Sequence, residues 1–102
     1  MILILGSVLA KPETLQDLLR EGQAHCARSR AEPGCLAHNV HTDADNPLKL
    51  VFVEKWQDLA AVKAHFAVPA SGEFVKALRQ FAAAPPYIEM FAADALPMPK
   101  AA

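Results

Sequence analysis

CLAHNVHTDADNPLKLVFVEKW, residues 35–56, is the stretch that decides the fold, because it reads as one β-hairpin. Cys35 to His41 can run as a strand. Thr42 to Pro47 crowds Asp, Asn and Pro into a turn of the kind that joins hairpin strands. Leu48 to Trp56 is rich in β-branched and aromatic residues and predicts the second strand. Side chains alternate along a strand, so Leu36, His38 and Val40 share one face, and Leu50, Phe52, Glu54 and Trp56 share another. A turn that pairs His38 near Phe52 sets these two faces side by side, within touching distance. An acid, an imidazole and an indole then lie on an otherwise apolar surface. Glu is depleted in buried strands, so Glu54 in the middle of VFVEKW calls for a partner.

Outward from the hairpin, residues 2–9 are almost continuously aliphatic, as in a strand buried on both faces. Lys11 to Thr14 opens a helix with Leu15, Leu18, Leu19, Gly22 and Cys26 on its apolar stripe, and Pro33-Gly34 ends it. Beyond the hairpin, Asp58 is suited to cap a short helix carrying Leu59, Val62 and Phe66. Pro69 interrupts, and Ser71 caps another helix with Phe74, Leu78 and Phe81 on one face. Tyr87 to Phe91 is the last strand. The order is βαββαβ with its second helix broken in two. This predicts an α+β, ferredoxin-like fold with a four-stranded antiparallel sheet and helices on one face. Residues 1–102 read as a single domain, with a core of about 1–93 and a tail, 94–102, that is loose or lies across a partner.

At 102 residues, a globule buries roughly 65% of its unfolded surface. That suffices for a core without metals or disulfides. The hydrophobic share of 53% is high, and ILIL and LVFV are apolar on both sides. Both features predict a homodimer packed sheet to sheet. A net charge of -1 with no Lys/Arg cluster excludes a nucleic-acid surface. MILILGSVLA lacks a basic leader region and is too short to span a bilayer, so no membrane role is expected. Two cysteines without framework spacing point to the cytoplasm.

Cys35, His38 and His41 are of metal-ligating types. In a strand, however, Cys35 and His41 point to one face and His38 to the other, and His25 and Cys26 belong to the preceding helix. No bound metal is expected from this spacing. His65 lies on the short helix after Asp58. At about 100° per residue it sits roughly 90° from the centre of the Leu59-Val62-Phe66 stripe, at the edge of the buried face.

EPGC at residues 32–35, followed by an alternating strand, a polar turn and VFVEKWQDLAAVKAHF at 51–66, resembles the antibiotic biosynthesis monooxygenase domain. The small quinol-monooxygenase-like proteins are the branch it resembles most. The likeness runs to about Phe91 and is densest from Glu32 to Phe74. It implies a dimeric α/β barrel with a pocket in each subunit between sheet and helices. Carried onto this chain, the family's acid, aromatic and helix histidine fall on Glu54, Trp56 and His65. An aromatic is usual at the His38 position. A second histidine commonly follows the proline matching Pro69, where this chain has Ala70. The iron-binding histidine of haem-degrading relatives is missing from GEFVKALRQF.

The expectation is therefore a cofactor-independent monooxygenase acting with O2 on a hydroquinone, polyphenol or enolisable aromatic. His65 is the expected base, with Glu54 orienting or charge-balancing it. Trp56, Phe52, Phe66, His38 and Phe74 are the expected substrate-binding residues. No nucleotide-binding glycine motif occurs. Two other readings stand beside it: an isomerase of a phosphorylated sugar-like signalling molecule, and a non-catalytic small-ligand-binding or stress-associated dimer.

Overall fold

The computed structural model describes residues 1–100. Its elements in order are β1 (Ile2–Leu9), α1 (Leu15–Arg30), β2 (Cys35–Asp43), β3 (Asn46–Trp56), α2 (Leu59–Ala67), α3 (Pro69–Phe81) and β4 (Tyr87–Ala92). The strands form one antiparallel sheet in the order β2-β3-β1-β4. This is the ferredoxin-like arrangement that the hairpin and its flanks predict. From 94 to 100 the tail has no regular structure, with Leu96 and Met98 exposed. The last two residues of the expected tail lie outside the described residues. Among those described, no helix is long and apolar enough to cross a membrane.

One face of the sheet carries the helices. Val8, Leu50 and Phe52 from the sheet bury against Leu18 and Cys26 of α1 and Phe74 of α3. Toward the other end, Ile4 and Trp56 bury against Val62 of α2. The opposite face pairs Leu5 with Val53 and Ser7 with Val51, all partly exposed.

The hairpin pairs two residues away from the expected register. His38 lies opposite Glu54, and Val40 opposite Phe52. A slip of two preserves the face, so the acid and the imidazole meet more directly than expected. The tip is short: Asp43 pairs with Asn46, and Asp43 Oδ1 accepts from the Asp45 N–H at 2.8 Å. A register irregularity between Cys35 and Ala37 corrects the assignment of faces at the start of β2. The extra residue is Leu36, which is turned outward and 59% exposed. Cys35 is thereby brought opposite Trp56, onto the face of His38. Strict alternation had placed it with His41, which is exposed.

The helices differ from expectation in several places. Asp58 caps α2 as expected, accepting the Ala61 N–H at 2.9 Å. Its buried residues are Val62 and His65, however, while Leu59 and Phe66 are exposed. His65 therefore lies on the inward face of α2 rather than at its edge. The break expected at Pro69 falls at the extended Val68, and Pro69 itself begins α3, at the position where its missing N–H costs nothing. Ser71 sits buried inside that helix instead of capping it. On α1 the buried face is Leu18, Gly22, His25, Cys26 and Ser29, so it includes His25, which the stripe of Leu15 to Cys26 omitted. Gly34, at φ 81°, turns the chain out of α1 into β2.

Candidate active site

The elements converge on three imidazoles. His25 comes from α1, His38 from β2 and His65 from α2, and all three are buried. Their ring centroids are 5.0 Å apart for His25–His38, 5.2 Å for His25–His65 and 5.5 Å for His38–His65. Phe74 of α3 stacks on His25 at 4.0 Å with an interplanar angle of 7°. They line a cavity of about 120 Å³ together with Phe52, Glu54 and Phe74. Its outer wall includes Phe66, Tyr87 and Ile88, each more than half exposed. An apolar cavity of about 150 Å³ holds a benzene, so the inner part here is on the scale of one aromatic ring.

Two carboxylates hold the histidines, and not in the expected pairing. His65 Nδ1 lies 2.8 Å from Glu32 Oε1. A carboxylate only accepts, so Nδ1 carries a proton, and in the neutral ring the second nitrogen keeps its lone pair. Glu54 Oε1 instead accepts the Trp56 indole N–H at 3.0 Å and lies 3.2 Å from His38 Nε2. That second approach is close enough for an ion pair, but the ring N–H direction does not make it a hydrogen bond, and His38 Nε2 has no aligned partner. The other nitrogen of His38 lies 3.2 Å from Cys26 Sγ. The acid that orients His65 is thus Glu32, whereas Glu54 faces His38. The expectation that Glu54 orients His65 is corrected accordingly.

Burial sets the charge states. It pushes His25 down to about 3, with the neighbouring His38 and His65 acting in the same direction, so His25 is neutral at ordinary pH. Burial also pushes the Cys26 thiol up to about 11 and raises that of Cys35. For Glu54, burial alone would raise the carboxyl. His38 and the Trp56 N–H outweigh it and hold Glu54 below the usual range, as a carboxylate.

Of the seven site residues expected from sequence, six line the cavity: His65, Glu54, His38, Phe52, Phe66 and Phe74. Trp56 does not. Fully buried, it lies behind Glu54 and meets the His65 ring at 4.6 Å, so it supports the site rather than walling it. Phe66, 54% exposed, stands at the rim because α2 turns His65 inward instead. No Lys or Arg of the described residues lines the cavity. A second, shallower hollow of about 310 Å³ lies where Glu32, Gly34 and Asp58 meet His65.

The sequence profile of antibiotic biosynthesis monooxygenases matches residues 1–77. The chain belongs to the antibiotic biosynthesis monooxygenase family. A Bacillus subtilis member named "Putative monooxygenase YcnE" is 31% identical over 85 residues, covering 83% of this chain and 90% of its own. An uncharacterized Synechocystis protein is 29% identical over 90 residues, covering 88% of this chain. The chain spans 61% of the length of that relative. The crystal structure of a family protein from Deinococcus radiodurans superposes with a TM-score of 0.91 at 24% identity, covering 98% of this chain and all of its own, and shares the fold.

Two residues of this family member's site escaped the sequence reading, His25 and Glu32. His25 had a detectable signal, since it falls seven residues after Leu18 on the helical repeat. Glu32 stood in the quoted EPGC, but nothing local links it to a histidine 33 residues away.

His25 gives a measurable consequence in acid. The unfolded chain takes a proton on His25 below about pH 6.5, while the folded chain resists until about 3. Protons therefore favour the unfolded state through this window, and stability falls as pH falls. Glu54 adds to the loss only below its unfolded value of about 4.5, as its carboxylate is protonated. Thermal melting in EDTA should show the wild type losing about 2 kcal/mol more than His25→Gln between pH 7 and pH 5. Parallel curves for the two proteins would contradict a buried neutral His25.

Proposed function

We propose that the chain is a cofactor-independent monooxygenase of a hydroquinone, polyphenol or enolisable aromatic, bound in the histidine-lined cavity. The observation that carries this reading is the Glu32–His65 pair, 2.8 Å apart, with the imidazole on the wall of a largely apolar, ring-sized cavity. An imidazole held by a carboxylate is oriented to accept a proton from a phenolic hydroxyl. Removing that proton makes the ring electron-rich enough to pass electrons to O2. A hydroquinone supplies all four electrons itself: hydroquinone plus O2 gives hydroxyquinone plus water. One oxygen atom forms a bond to ring carbon, the other leaves as water, and no external reductant is needed. Phe52 and Phe74 line the cavity and supply apolar wall for the ring.

The phosphorylated-sugar reading loses support, because no cationic side chain of the described residues lines the cavity to bind a phosphate. The test is aerobic incubation with a panel of hydroquinones and polyphenols in EDTA, following oxygen uptake and product mass. Uptake with a product one oxygen richer and two hydrogens poorer is expected. Saturable binding without uptake would establish the binding-module reading instead.

The reading includes a homodimer joined through the open sheet face, where Leu3, Leu5, Val51 and Val53 are only partly covered. Sedimentation equilibrium at micromolar concentration should give twice the chain mass. A folded monomer there would contradict it.

A further inference from the structure

We propose that His25, His38 and His65 form a binding site for one divalent first-row transition ion of the zinc or copper class. One nitrogen from each ring lies within 4.8 Å of the others, and all three residues are buried. The spacing Cys35-His38-His41, which looks like a metal motif, contributes only its middle member. The other two arrive from α1 and α2, which is why linear spacing did not reveal the set.

Two further features fit an ion. His38 is fully buried, and its Nε2 makes no aligned hydrogen bond, with Glu54 Oε1 the carboxylate oxygen beside it at 3.2 Å. Its Nδ1 is turned to Cys26 Sγ at 3.2 Å, leaving Nε2 for another ligand. His65 Nδ1 is committed to Glu32 at 2.8 Å, which leaves its other nitrogen available. A metal-ligating imidazole typically donates its second N–H to a carboxylate in this way, which fixes the ring and raises its basicity. Glu54, with an oxygen 3.2 Å from His38 Nε2, supplies negative charge beside the site. No Lys or Arg of the described residues lines the cavity to repel a cation.

The donor set selects the ion. Three imidazoles suit zinc, copper, iron or nickel, and not the oxygen-seeking magnesium or calcium. On a tetrahedral ion with bonds of about 2.0–2.1 Å, ligand atoms lie roughly 3.3 Å apart. The set must therefore contract slightly on binding, by about 1.5 Å at its widest separation. The cavity provides the approach for the ion. Binding would occupy the His65 nitrogen otherwise free to accept a proton. The site does not depend on the oxygenase reading. Turnover in EDTA tests that reading, and metal titration tests this one.

The experiment is titration of EDTA-stripped, desalted protein with ZnCl2 by calorimetry, and with CoCl2 followed by visible absorption. One equivalent of zinc per chain and the bands of tetrahedral cobalt are expected. His25→Phe can keep the stack on Phe74 while removing the ligand, and should weaken zinc binding at least about 100-fold, as should His38→Ala. His41→Ala, on the exposed face of β2, should bind as the wild type does. Circular dichroism of each variant confirms that it is folded before it is scored. No uptake by the wild type, or equal uptake by a folded His25→Phe, would overturn the site. Loss of binding in His41→Ala would overturn it as well.

Discussion

Trp56→Ala should destabilise the chain by about 3–5 kcal/mol, the range for truncating a large buried aromatic. Trp56 is fully buried between Ile4 and Val62. Its indole N–H is also the aligned donor to Glu54 Oε1, at 3.0 Å. Truncation therefore opens a cavity and strips a buried carboxylate of a hydrogen bond. At roughly 4–8 °C per kcal/mol for a domain of this size, the melting temperature should drop by at least about 12 °C. Trp56→Phe separates the two effects: it keeps most of the packing and should cost only about 1–3 kcal/mol, mainly for the unsatisfied acid. Equal melting of Trp56→Ala and wild type would mean that the indole does not anchor this end of the core.

His65→Ala should lower turnover about 100-fold or more, the usual contribution of a general base. His65 is 3% exposed and packs against Trp56 at 4.6 Å, so truncation also carries a structural cost. His65→Gln is the companion variant, since it fills more of the space and cannot act as a base. Both are assayed well below their melting temperatures. Glu32→Gln should leave a smaller deficit, at least about 10-fold, because it removes the charge that orients the ring and keeps the ring itself. Unchanged turnover in His65→Gln would exclude His65 as the base and leave Glu54 or His38 in that role.

The sequence made the architecture legible wherever one strong local pattern dominated. The LKLVFVEKW strand, the Pro33-Gly34 stop and the Asp58 cap all stand in the structure as expected. Errors arose where a short-range rule met a tertiary constraint. Simple alternation fails at Cys35 because the irregularity at Leu36 changes the phase of β2. The Leu59-Val62-Phe66 stripe misplaced α2, because that helix turns His65 inward to meet Glu32 and leaves Phe66 at the rim. Glu54 was rightly expected to need partners. They proved to be Trp56 and His38, since register sets His38 directly opposite and the indole lies two residues along the same face. The His25–His38–His65 cluster was hidden for a different reason. It is assembled by α1, β2 and α2 together, and no single window of sequence contains it.

The proposed reaction inserts one atom of molecular oxygen into a substrate held in this cavity, without a bound cofactor. Its most direct test is turnover of the best hydroquinone substrate by EDTA-treated protein under 18O2, with the product analysed by mass. Sustained oxygen uptake and one labelled oxygen atom in the hydroxyquinone are expected, with uptake lower by about 100-fold or more in His65→Gln. Unlabelled product, or turnover that appears only when a metal, flavin or haem is added, would contradict it.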